Sequence, residues 1–129
     1  MNVWSPADLD KHAVRIFQAL IPDLSARSLG FRVNTSEVDD DLLELFKDHI
    51  GKLVESLLVS VAGQLEVEMR RDAHSLLGMG GTMGVPALSV VAEELSAGAK
   101  RGDYPYCTAL GEGLKEWMAV WTGPWRAEP

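Results

Sequence analysis

The residues best suited to chemistry lie in one run, Ala73-His74-Ser75-Leu76-Leu77-Gly78-Met79-Gly80-Gly81-Thr82-Met83-Gly84. Leu65, Met69, Ala73, Leu76, Gly80 and Met83 are spaced by 4, 4, 3, 4 and 3, which puts them on one face of a helix. With Ala73, Leu76 and Gly80 turned to a core, His74 falls about one residue step round, at the rim of the buried face. Its same-side neighbours at three and four residues are Arg70, Arg71, Leu77 and Gly78, with Gly81 one turn further. The histidine therefore has two arginines before it and bare backbone after it. Glycine inside a helix costs about 1 kcal/mol relative to alanine, so Gly78, Gly80 and Gly81 together cost roughly 3 kcal/mol. Close helix packing accounts for Gly80. Gly78 and Gly81 fall on the histidine side, where a missing side chain lets atoms of another protein approach the imidazole. An accessible histidine beside a cleared patch suits group transfer between proteins.

The rest of the chain reads as the helices needed to hold that surface, about six in all. Ser5-Pro6-Ala7-Asp8 is a helix start, followed by Leu9, Ala13, Ile16, Phe17 and Leu20 at helical spacing and closed by Pro22. Residues 22 to 35 read as a connector. A second start lies at Thr35-Ser36, with Glu37, Asp39, Asp40 and Asp41 in its first turn and Leu42, Leu43, Phe46 and Ile50 on its apolar side. Gly51 reads as a break or bend before a third stripe, Leu53, Val54, Leu57, Leu58 and Val61, ended by Gly63. The His74 helix starts near Gln64 and ends at Gly84. Pro86 opens a fifth helix with Leu88, Val91, Ala92, Leu95 and Ala99 on one stripe, ended by Gly102. A sixth runs from about Tyr104 and aligns Cys107, Leu110, Leu114, Trp117 and Trp121 as core, before Gly123-Pro124. This predicts an all-α protein: an antiparallel four-helix bundle with an additional N-terminal helix packed across one end or side. Residues 1–34 are the N-terminal helix and connector, 35–122 the bundle, and 123–129 a short tail.

The His74 stretch resembles the signature of the histidine-containing phosphotransfer (HPt) domain family, A-H-x-L-K-G with a small-residue run and a second glycine six residues on. Ala73, His74, Leu76, Gly78 and Gly84 stand in those places, and Gly81 also matches many members. Upstream, Leu42-Leu43-Glu44-Leu45-Phe46 and the stripe from Leu53 to Val61 resemble the family's preceding helices. Downstream, Leu88, Val91 and Ala92-Glu93-Glu94-Leu95 resemble its following helix, and Gly102-Asp103 its usual turn. The likeness covers about residues 38 to 120. It implies that His74 takes a phosphoryl group from a sensor or hybrid histidine kinase, or from a response-regulator receiver domain, and gives it to another receiver aspartate. Neutral imidazole is nucleophilic near neutral pH because its unperturbed pKa is about 6.5. A phosphorylated ring nitrogen is an energetic phosphoramidate. In such domains the carboxylates and Mg²⁺ that assist transfer belong to the partner, so the resemblance implies no cofactor, no bound metal and no stand-alone turnover. One departure matters: the family's lysine three residues after the histidine is Leu77 here. Arg70, Arg71 or Lys100 could supply the missing charge, Ser96 falls where a polar residue often contacts the histidine, and Leu77 could instead give the docking surface an apolar contact.

Composition narrows the alternatives. With 129 residues, 47% hydrophobic and 24% charged, the chain fits one globular domain. A net charge of −7 argues against nucleic acid and anionic membranes as partners. Cys107 is the single cysteine, so no internal disulfide forms. No apolar run is long enough to cross a bilayer, and the start at Met1-Asn2-Val3-Trp4-Ser5 lacks the character of a signal peptide, so the expected location is the cytoplasm. The glycine run lacks the strand and Lys-Ser/Thr pair of a nucleotide loop. Asp39-Asp40-Asp41 reads as a helix start rather than a cation site, because adjacent helical residues point apart. His12 and His49 have no evident partners. Two rivals to a phosphocarrier stay open: a degenerate bundle that binds a receiver domain or kinase without carrying phosphate, motivated by Leu77, and the phosphoacceptor segment of a kinase itself. The latter usually has an acidic residue after the histidine, where Ser75 stands here.

Overall fold

Ser5 opens the first helix with a reciprocal cap. Its Oγ accepts from the Asp8 N–H at 3.1 Å, and the Asp8 carboxylate accepts from the Ser5 N–H at 3.2 Å. The computed structural model describes residues 4–31 and 39–122, and among these every regular element is a helix. They are α1 (Pro6–Phe17), α2 (Leu24–Ser28), α3 (Asp40–Ala62), α4 (Glu66–Met83), α5 (Pro86–Lys100) and α6 (Tyr104–Thr122). Helices α3 to α6 form the expected bundle, each packed on two neighbours in cyclic order. Connections of two or three residues make consecutive members antiparallel.

Two divisions of the chain differ from the sequence reading. The break expected at Gly51 is absent, and α3 runs through it as one helix of 23 residues. Leu43, Ile50, Val54, Leu57 and Val61 are buried on one continuous face, so packing on both sides of Gly51 holds the register. Its cap is Asp39, whose carboxylate accepts from the Leu42 N–H at 2.8 Å. The start expected at Thr35-Ser36 lies outside the described residues, as do the boundary at residue 34/35 and the tail 123–129. Conversely, the connector expected over 22–35 contains α2. Helix α1 stops at Phe17, short of Pro22, because the chain turns there: the Leu20 and Ile21 N–H groups both donate to the Phe17 carbonyl. That turn delivers Ile21 and Leu24 to the core. Leu42 and Leu65, assigned to apolar faces, are 37% and 42% exposed.

The N-terminal helix is fastened at several points. Phe17 lies so close to Gly113 of α6 that a Cβ there would sit 2.5 Å from Phe17 Cε1. The Trp117 indole donates to the Leu9 carbonyl at 3.0 Å. Asp10 accepts from the Ala87 N–H at 2.9 Å, capping α5, whose own preceding residue Val85 offers no side-chain cap. Burial pushes the Asp10 carboxyl above its ordinary value, with the Ala87 bond pulling the other way. Trp117, Trp121 and Cys107 are buried as expected.

Candidate functional site

Helix α4 is closed by Gly84 in the left-handed conformation (φ 78°), with the Val85 N–H donating to the Gly80 carbonyl at 2.8 Å. Its inner face holds Met69, Ala73, Leu76, Gly80 and Met83, all buried, as the spacing predicts. A Cβ on Gly80 would lie 2.5 Å from Ser89 Oγ, 2.9 Å from Ser89 N and 3.0 Å from the Val85 carbonyl. The glycine lets α5 approach, and Ser89 Oγ then donates to the Leu77 carbonyl at 2.8 Å.

His74 is exposed and stands on the ridge of α4. On one side it borders an open cleft of about 360 Å³ between α4 and α5. Arg70, Ala73, His74 and Leu77 form one wall; Ala92, Glu93, Ser96, Ala97 and Lys100 form the rest. Residues 70, 73, 74 and 77, and residues 93, 96, 97 and 100, each follow helical spacing, so two parallel stripes face each other across the gap. The structure therefore gathers Arg70, His74, Leu77, Ser96 and Lys100. Arg71, Gly78 and Gly81 are not among the lining residues: residues 71, 74 and 78 share the other flank of the ridge, away from α5. Gly78 is exposed, and a Cβ added there would touch nothing within 4 Å.

Arg70 and Lys100 give the cleft a cationic wall on each helix. Arg70 reaches back one turn to Glu66 at 3.3 Å, an exposed pairing that leaves it able to swing toward an anion. Arg71 lies near Asp72 at 3.6 Å, while Asp72, buried, accepts a 2.6 Å bond from Ser56 Oγ on α3. The other histidines lie elsewhere: His49 is exposed on α3, and His12 packs beside Trp4, where burial first and Arg15 second lower its pKa.

Glu93 went unread as a cleft residue, although its spacing to Ser96 and Lys100 was visible. Arg27 had no sequence signal. Its Nη2 donates to Glu93 Oε1 at 3.0 Å and its Nη1 to Glu94 Oε2 at 2.7 Å, docking α2 on α5. Glu94 also accepts from the Tyr106 hydroxyl at 2.7 Å. Burial works to raise the Glu94 pKa, but the bonds from Tyr106 and Arg27 outweigh it and hold the carboxyl below its ordinary value.

Residues 41–119 match the Hpt domain family, and the chain belongs to it. Hpt domains are phosphocarrier modules rather than enzymes, and the match gives this chain a phosphotransfer-type role in two-component signalling. Comparison with curated proteins and with solved structures returns no match. Among the described residues, no helix is long and apolar enough to cross a membrane.

Proposed function

We propose that His74 is the phosphoacceptor and that the chain shuttles a phosphoryl group between His74 and receiver-domain aspartates. The observation that carries this reading is an exposed imidazole on a helix ridge, with a cationic cleft on one flank and bare backbone on the other. In the forward step an imidazole nitrogen attacks the phosphorus of an aspartyl phosphate. The N–P bond forms as the P–O bond to the aspartate breaks, the carboxylate leaves, and the ring sheds a proton to solvent. The receiver supplies Mg²⁺ and the acidic cluster. This chain supplies position and access. Arg70 and Lys100 offset charge on the transferred group, Ser96 offers a hydroxyl, and Leu77, Gly78 and Gly81 form the contact surface, with Arg71 at its edge. A single buried thiol suits the reducing cytoplasm, where this chemistry would run.

Incubation of the purified chain with phosphorylated receiver domains tests the assignment. Acid-labile, base-stable label on wild type that disappears in His74→Gln is the expected result; label that persists in that variant rejects it. Leu77 motivates a second reading, a module that binds its partner without carrying phosphate, because no lysine enters the cleft from that position. A stable receiver complex with no transfer, indifferent to His74→Gln, would favour that reading. So would transfer gained only on Leu77→Lys.

A further inference from the structure

Among the described residues, Glu93 is the one acidic residue lining the His74 cleft. A phosphoryl group carries nearly two negative charges near neutral pH. An uncompensated carboxylate about 8 Å away would slow its arrival about fivefold at the dielectric of water. The fold answers that charge from outside the cleft. Arg27 donates to Glu93 at 3.0 Å from a position 66 residues earlier in the chain, while its other terminal nitrogen is fixed on Glu94 and lies 3.8 Å from Asp23 on its own helix's cap. Burial of Leu24 seats the helix that carries it. The Arg27 and Glu93 side chains are 28% and 46% exposed, so their pairing contributes little to folding stability. Its effect is on the local field, and guanidinium keeps its charge throughout the physiological range.

We propose that Arg27 is a positioning residue for phosphoryl transfer: it offsets the field of Glu93, so that Arg70 and Lys100 set the sign of the cleft around His74. This rests on His74 being the phosphoacceptor.

The test uses the full chain and phosphoramidate, a small donor that needs no docking surface, with phosphohistidine followed by ³¹P NMR. Arg27→Gln keeps a donor for Glu94 while removing the charge. It is expected to slow uptake about fivefold and to raise the pKa of the bound phosphoryl group. Adding Glu93→Gln to Arg27→Gln should restore both the rate and the titration. Glu93→Gln alone should speed uptake up to about fivefold, because Coulomb terms add and the Arg27 charge is then left unopposed by Glu93. A double variant as slow as Arg27→Gln overturns the proposal, since Arg27 would then act only by holding α2. So does a Glu93→Gln chain that takes up label no faster than wild type, because the Glu93 charge would then not act on the cleft, a result that decides the matter even if Arg27→Gln does not fold. Wild type labelled at His74 with no change in Arg27→Gln overturns this inference alone. Wild type that takes no label at His74 overturns the carrier reading and this one together.

Discussion

Gly80 and Gly78 stand two residues apart on α4 and meet opposite surroundings. Gly80 is buried against Ser89 and the Val85 carbonyl, where the backbone of α5 leaves no room for a methyl group. Gly78 is exposed, and nothing approaches the place its side chain would occupy. The fold itself accounts for the first glycine. It gives no reason for the second, which weakens the helix by about 1 kcal/mol. The comparison separates a glycine that lets two helices of one chain touch from a glycine that leaves space for another chain.

Substitutions at these two sites can break that comparison. The largest expected effect is on transfer. Gly78→Trp should keep the fold but cut receiver-to-His74 transfer about hundredfold, roughly 2.7 kcal/mol, while phosphoramidate still labels the histidine. Unchanged transfer would mean that the receiver docks elsewhere. Next, Gly80→Ala should destabilise the protein by about 2 kcal/mol, read as a lower urea midpoint at constant slope. Adding Ser89→Ala to it should recover up to about 1 kcal/mol, because one of the three crowding atoms is removed. Strict additivity in that cycle would show that the backbone contacts alone set the cost. The smallest effect has the opposite sign: Gly78→Ala should stabilise the chain by about 0.5–1 kcal/mol. The same change of residue thus raises the midpoint at one position and lowers it two residues away.

What the sequence made legible follows from what periodicity can carry. The stripe from Met69 to Met83 placed His74 on a rim because burial of Ala73 and Leu76 fixes the helix's rotation. Periodicity did not say which flank the next helix would cover, so Arg70 and Arg71 were equivalent until α5 was in place. The false break at Gly51 came from reading one residue against a stripe whose burial continues past it. Helix α2 has only five residues, too few to show a repeat, and it is held by Leu24 and by Arg27's bonds to residues far along the chain. Glu93 was visible as a residue, but its compensation was not, because the partner lies on another element.

Asp10 has a consequence for anyone trimming this protein to its family-matched core. A piece cut to residues 41–119 would leave the first turn of α5 with an orphaned amide where Asp10 now sits, and Trp117 with no acceptor at Leu9. It would also bare the pockets now filled by Leu9, Phe17, Ile21 and Leu24. Ser96 and Lys100 ride on that same helix, so the opening thirty or so residues serve as a splint for one wall of the histidine's cleft, and a shortened version would report on a different protein.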